Sequence, residues 1–216
     1  MRHRLHAPRH PSDRYGDFDA WAPSYDRSPL QRLFFDRVHG EVVRAVVALV
    51  RGMEAPVVLD VGCGTGRLLE RLREALPQAS PLGVDASPQM IAVARAKPAL
   101  AGVRLEVGES ESLPLDDASC DVVVSTVSFH HWARQADGLR ECRRVLRPGG
   151  ALLLVDFFAR GLLAPVVRRV AAGHGSGVRD EGEVLRMIAG AELRARSLTR
   201  VGPPLSPMGI LAAARP

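Results

Sequence analysis

The sequence predicts an α/β fold, a doubly wound and mostly parallel sheet of seven strands with helices on both faces. Three observations predict it. From residue 57 onward, short and uniformly apolar runs rich in valine recur, as strands buried on both faces require. Between them lie segments whose leucines and alanines repeat at helical spacing. The changes of period fall at turn residues: Gly62-Cys63-Gly64-Thr65-Gly66, Ser87-Pro88 and Arg147-Pro148-Gly149-Gly150. Strands that alternate with helices at this spacing build a parallel sheet with crossover helices.

Taken in order, residues 1–14 carry His, Arg and Pro without apolar periodicity and are expected to be disordered. An aromatic segment with Phe18, Trp21 and Tyr25 follows. Ser28 as N-cap, Pro29 at the first helical position and Gln31 at the third start a helix. Its spacing places Leu30, Leu33, Phe34, Val38 and Val42 along one side. Strands are expected at 57–61, 81–86, 103–109, 120–127 and 151–158. Helices fill the gaps after the glycine turn, after Ser87-Pro88 and from about Gln135 to Leu146. The Arg147–Gly150 stretch stops the last of these, because proline disfavours helix in the residue before it and the glycines supply the turn. Asp180 and Glu183 have the spacing of a capping box for a helix ending near Gly190, and LRARSLTRV and MGILAAAR complete the sheet as a closing pair.

Composition sets the outer bounds. A chain of 216 residues with 46% hydrophobic and 25% charged residues has the make-up of an ordinary globular domain and the usual length of one. No apolar stretch approaches the ~20 residues of a membrane-spanning helix. The basic N-terminus leads into no apolar run, so it is not a secretory signal, and a cytoplasmic location is expected. Cys63, Cys120 and Cys142 form no CxxC pair, so neither a metal site nor a disulfide framework is expected. The net charge of +5 invites a nucleic-acid reading, but the basic residues are scattered arginines, Lys97 being the sole lysine. A phosphate footprint needs clustering on one face, so a nucleic-acid partner is disfavoured.

The most informative stretch runs from Asp60 to Gly66. Glycines between a buried strand and a helix let the backbone turn tightly and approach a ligand closely, near the positive end of the helix dipole. G-x-G alone also suits a purely structural turn. Arg67 stands where the dinucleotide fingerprint wants its third glycine. Asp60, at the strand end, suits a cationic ligand and repels a pyrophosphate. Asp85 ends the next strand about 20 residues past the last glycine, where a carboxylate accepts from both ribose hydroxyls.

With these residues in place, the sequence resembles the class I S-adenosylmethionine-dependent methyltransferases. More narrowly it is similar to their small ubiquinone/menaquinone-type branch, methyltransferase type 11. The motifs are VLDVGCGTGRLL, GVDASPQM, VGESESLPL, CDVVVSTVSFHHW and RVLRPGGALLLVD, in order over about residues 57–157. The resemblance implies a Rossmann-like fold and S-adenosyl-L-methionine as cofactor. It implies a single domain over 15–216: an N-terminal cap and helix at 15–51, a cofactor-binding core at 57–157, and substrate-side helices with closing strands at 158–216. It also implies that Gly62, Cys63, Gly64 and Gly66 line the methionine part, with Asp60 near its amino group. Asp85 would hold the ribose, and Ala86 and Met90 would pack on the adenosine. Glu109 and Ser110 stand where the family often has Asp-Ala, at the adenine edge, and Glu111 keeps its acidic position. Thr126 and Val127 would lie beside the sulfonium, and Tyr25 would cover the site from the N-terminal segment.

Ligands of a doubly wound sheet bind outside the carboxyl ends of its strands, so Phe129, His130, His131 and Trp132 fall near the acceptor. His130 and His131 are the candidate catalytic residues: either removes an acceptor proton as a general base, or they serve as pocket wall and helix-start hydrogen bond. Adjacent side chains do not face one point, so at most one of the two meets the acceptor. No Asn/Asp-Pro-Pro-Tyr follows the fourth strand, and no cysteine lies in a Pro-Cys motif. These absences leave a small organic acceptor, a quinone-like ring or a natural product, ahead of RNA. A catalytically silent cofactor-binding partner protein is the alternative from another class. No sequence feature specifies an oligomeric state.

Overall fold

The computed structural model describes residues 19, 20, 22, 26, 29–159, 177–201 and 207–216, with backbone alone for 29–34. The expected disordered tail at 1–14 and the aromatic residues Phe18, Trp21 and Tyr25 lie outside the described residues, as does the Ser28 cap.

The helix begins at Pro29, as its fixed φ favours, and α1 runs Pro29–Leu49. It is followed by β1 (Val57–Val61), α2 (Arg67–Ala75), β2 (Ser80–Asp85), α3 (Pro88–Arg95), β3 (Arg104–Val107) and β4 (Cys120–Thr126). Then come α4 (Gln135–Val145), β5 (Leu146–Ala159), β6 (Arg179–Asp180), α5 (Glu181–Gly190), β7 (Arg194–Arg200) and β8 (Met208–Ala214). Short 3-10 turns occupy Pro98–Leu100 and Phe129–His131. The sheet order is β3-β2-β1-β4-β5-β8-β7, with β6 pairing β5 off this path. The pairs among β1 to β5 are parallel, and β8 is antiparallel to both β5 and β7. Seven strands on this path match the expected number, and β6 adds a two-residue eighth strand beside Phe158 and Ala159.

Alternate residues of each central strand face opposite layers. Val58, Val122, Val124, Leu153 and Val155 pack on α1 and α2 through Val38, Val42, Val46, Leu68 and Leu72. Leu59, Val123, Leu152 and Leu154 face α4 and α5 through Leu139, Cys142, Val145, Val184 and Ile188. The fourfold spacing of Val38, Val42, Val46 and Val50, each at most 2% exposed, is the stripe that seats α1 on the sheet. The three cysteines are buried free thiols. No helix of the described residues is long and apolar enough to cross a membrane.

Two local expectations hold at atomic level. Ser87 caps α3, its Oγ accepting from Met90 N at 3.1 Å. Asp180 and Glu183 close a reciprocal capping box at 2.8 and 3.1 Å. Several strand boundaries shift by one residue, and two differ by more. β3 stops at Val107, and β5 begins at Leu146 instead of 151. The Arg147–Gly150 stretch is a bulge, where the register jumps from Cys120↔Leu146 to Val122↔Ala151. It stays in the sheet because Gly149 N donates to Arg215 O and Arg215 N to Gly150 O, both at 2.9 Å. What matters for function is the order 2-1-4. The chain leaves β1 toward β2 and returns on the other side as β4, opening a crevice beyond their carboxyl ends.

Candidate active site

That crevice is a solvent-open cleft, lined by the turns that follow β1 and β4 and by the end of β2. One wall is the turn after β1. Gly62, Gly64 and Gly66 have φ of 77°, 53° and 79°, left-handed conformations that side chains with a Cβ resist. Gly62 is also sterically required: a Cβ there would lie 1.8 Å from Ser128 Oγ. Gly66 serves packing, since its Cβ would meet Leu100 Cδ1 at 2.4 Å.

The amides of this turn are already used. Gly62 N and Cys63 N donate to Val84 O at 2.8 and 3.1 Å, and Gly66 N to Cys63 O at 2.9 Å. Gly64 N donates to Asp85 Oδ2 at 2.7 Å. A pyrophosphate would find those four donors engaged and two carboxylates beside them.

Those carboxylates behave differently. Asp85 lines the cleft with both oxygens anchored, Oδ1 accepting from Ser87 N at 2.9 Å. Burial pushes its carboxyl up, and the two backbone amides partly oppose the shift. Each oxygen keeps a second lone pair for a ligand hydroxyl. Asp60 is only 2% exposed, and its Oδ1 has no hydrogen-bond partner. Burial, with the Asp85 charge added, pushes its carboxyl up to about 8. A buried acid without a partner is a cost that a bound cation relieves.

The opposite wall follows β4. Thr126 and Val127 both line the cleft. Val127 has φ 53°, a rare conformation for a β-branched residue, held by Val127 N donating to Val155 O at 2.7 Å. The strained turn brings Ser128, His131 and Trp132 to the cleft. Trp132 Nε1 donates to Ser128 Oγ at 3.1 Å, and its ring packs edge-on against Phe129 with centroids 5.2 Å apart. Gly138 of α4 makes room for it, since a Cβ there would lie 2.5 Å from Trp132 Cε3.

The two histidines part company. His130 does not line the cleft: its Nδ1 is 2.6 Å from Asp156 Oδ1, and its backbone N donates to Asp156 Oδ2 at 3.1 Å. Asp156 is fully buried. The His131 ring lies tilted at 45° against His130, centroids 3.9 Å apart, and does line the cleft. Burial chiefly, then the neighbouring His130, lowers His131 to about 4, against a smaller opposing effect of Asp156.

Of the remaining sequence candidates, Gly62, Gly64, Ala86, Met90 and Ser110 line the cleft. Asp60 and Cys63 line a smaller cavity behind the glycine turn, and the Cys63 side chain belongs to the core with Leu69, Ile91, Ala94, Leu100 and Leu105. Glu109 is exposed and outside the cleft lining. Glu111 braces the rim, its Oε1 accepting from Arg134 N at 2.6 Å and Oε2 from Ser110 Oγ at 2.9 Å. Tyr25 lies outside the described residues. Sequence reasoning missed Ser128 and Gly108 in the cleft, and Phe35, His39, Thr65 and Arg67 in the smaller cavity. The close approach to Gly62 is what singles out Ser128, and no local pattern carries it.

Residues 59–154 match the protein family described as a methyltransferase domain. This stretch is thus a methyltransferase domain, and its motifs are those of the S-adenosylmethionine-dependent kind. It is 38% identical over 155 residues to a demethylmenaquinone methyltransferase of Deinococcus radiodurans, covering 70% of this chain and 64% of that one. It is 37% identical over 144 residues to a malonyl-[acyl-carrier protein] O-methyltransferase of Methylococcus capsulatus, covering 65% and 50%. The chain thus spans under two thirds of the length of these methyltransferases. A S-adenosylmethionine-dependent methyltransferase of Aquifex aeolicus has the same fold, with TM-score 0.66 at 22% identity over 97% of this chain and 100% of that one. The residues present fit the family's cofactor. The partnerless Asp60 oxygen would suit a cation, the anchored Asp85 a diol, and Ala86 and Met90 an apolar ring.

Proposed function

We propose that the chain transfers a methyl group from S-adenosylmethionine to a small, uncharged organic acceptor, a quinone-like ring being the leading candidate. The observation that carries this reading is the acceptor side of the cleft. Val127, Ser128, His131 and Trp132 line it, and no lysine or arginine stands among the described residues lining the cleft, despite 29 basic residues in the chain. Phosphates of a nucleic acid, or a carboxylate acceptor, would need such partners. The Deinococcus relative's demethylmenaquinone supports a ring, whereas the malonyl group of the Methylococcus relative would meet no cation here.

When bound, the cofactor supplies an electrophilic methyl group on a positively charged sulfur, which leaves with the bonding electron pair. The chain's residues do the rest. Asp60 would balance the cofactor's ammonium group, Asp85 would accept from the ribose hydroxyls, and Ala86 and Met90 would hold the adenosine, with Ser110 at its edge. Thr126 and the strained Val127 would form the floor against which the acceptor is held. Near pH 7, His131 is neutral and would accept a hydrogen bond from an acceptor hydroxyl, whose proton passes to solvent through the open cleft as the methyl is received. A group held at about 4 is a weak general base at that pH, so positioning is its main contribution. His130 acts only through His131, as the support of its ring.

The test incubates the protein with methyl-labelled S-adenosylmethionine and demethylmenaquinone, malonyl-acyl-carrier protein or bulk tRNA. Label in the quinone supports the reading. Label only in RNA or in the malonyl carboxylate would overturn the acceptor assignment. No label in any acceptor, by a protein that binds S-adenosylhomocysteine, would favour the silent partner protein.

A further inference from the structure

The smaller cavity lies between α1 and the glycine turn. It shares Gly62, Gly64 and Thr126 with the main cleft, so the two spaces adjoin at the turn. Four buried polar atoms on its lining residues have no hydrogen-bond partner: His39 Nδ1, Asp60 Oδ1, Arg67 Nη1 and Thr126 Oγ1. His39 is 6% exposed, Asp60 2% and Thr126 9%. Unpaired buried polar atoms are rare in folded proteins, and four from α1, β1, α2 and β4 around one space mark a built site.

The charges around it are arranged. Arg67 Nη2 bonds Asp36 Oδ1 at 2.9 Å, and Arg71 Nη2 bonds the same oxygen at 2.5 Å. Two guanidinium groups thus share one carboxylate, which leaves a net positive charge on this side. Across the cavity stands Asp60. Burial, then Arg67 and Arg71, hold His39 down to about 4, so near pH 7 it is a neutral donor or acceptor. The complement of such a site carries an anion beside a cation.

We infer that Arg67 and His39 form a carboxylate-recognition site, in which Arg67 Nη1 and His39 Nδ1 bind the α-carboxylate of the cofactor's amino-acid end while Asp60 takes its ammonium group. This rests on the cofactor reading above. It makes α1, outside the matched region 59–154, part of the binding site. It also gives Arg67, which stands in place of a third fingerprint glycine, a role of its own.

The test compares three ligands by calorimetry: S-adenosylhomocysteine, decarboxylated S-adenosylmethionine and 5′-methylthioadenosine, the last lacking the amino-acid end. Wild-type protein should prefer S-adenosylhomocysteine to the decarboxylated ligand. In Arg67→Met the affinity for S-adenosylhomocysteine should fall by roughly 10- to 100-fold, the worth of a charge-assisted hydrogen bond. Affinities for the other two should stay within about threefold. Arg67→Lys should keep more of the preference, and His39→Leu should lose part of it. An equal loss for all three ligands, or an unchanged preference in Arg67→Met, would overturn the assignment. Methylthioadenosine binding reports that each variant is folded. A wild-type protein that binds none of the three would instead sink the cofactor reading itself.

Discussion

Replacing Gly62 by Ala tests whether the turn after β1 is built for close approach. The residue has φ 77°, a conformation that costs a residue with a Cβ about 1–2 kcal/mol. The new methyl group would lie 1.8 Å from Ser128 Oγ and 2.5 Å from Ser128 Cβ, while Ser128 Cα is 3.9 Å away. Ser128 must therefore turn, giving up its bond from Trp132 Nε1 at 3.1 Å, worth about 0.5–1.5 kcal/mol. Together these cost about 2–3 kcal/mol, a fall in Tm on the order of 5–10 °C for a chain of this size. A displaced Ser128 also intrudes on the cleft it lines, so S-adenosylhomocysteine affinity should drop. Ser128→Gly removes both close contacts but not the φ strain. In the double variant only the φ part should remain beyond the loss of Ser128 itself, giving a coupling of about 1 kcal/mol in a double-mutant cycle. Thermal and urea unfolding of the four proteins measure it. Strictly additive costs would refute the contact between the turn and Ser128.

Two further predictions concern titratable groups. Asp60 is raised to about 8 from 3.8, so the folded protein holds a proton that the unfolded chain releases near 4. Its contribution to stability is complete below about 4 and is lost as pH rises through 8. A ligand ammonium needs the charged form, so S-adenosylhomocysteine affinity should rise from pH 6 to 8 by up to about tenfold per unit, with proton release visible as buffer-dependent heat. Asp60→Asn should be weaker and flat over that range, and a pH-independent wild-type affinity would contradict the account. The histidines should separate by readout: His130→Leu leaves Asp156 Oδ1 without its ring partner and should cost about 1–3 kcal/mol of stability. His131→Gln should leave stability nearly unchanged and slow single-turnover methyl transfer only a few-fold. A loss of 10²-fold or more in His131→Gln would restore the general-base role.

The parts of this protein legible in its sequence are those fixed by local chemistry. Val57–Val61 reads as a buried strand because five apolar or strand-ending residues leave no polar face, and the structure places the strand on those residues. The Asp180–Glu183 box and the Ser87 cap are legible because three-residue spacing alone sets them. The early start of β5 was not, since a Pro-Gly-Gly run reads as a break until Arg215, far along the chain, pairs with it. The same limit applies at the site. Asp60 and Asp85 announce themselves at strand ends beside glycines. Ser128, His39 and Arg67 become site residues only through long-range contacts, such as the bond between Arg67 and Asp36, 31 residues apart. The split of His130 from His131 depends likewise on Asp156, 26 residues on.

The central claim is that the crevice beyond β1, β2 and β4 is shaped for S-adenosylmethionine and not for a dinucleotide. Calorimetry tests it most directly: titration of the wild-type protein with S-adenosylhomocysteine and, separately, with NAD. The engaged amides of Gly62, Cys63, Gly64 and Gly66, with Asp60 and Asp85 beside them, leave no welcome for a pyrophosphate. The account predicts saturable binding of S-adenosylhomocysteine in the micromolar range and none of NAD. Micromolar binding of NAD by a protein with no affinity for S-adenosylhomocysteine would contradict it.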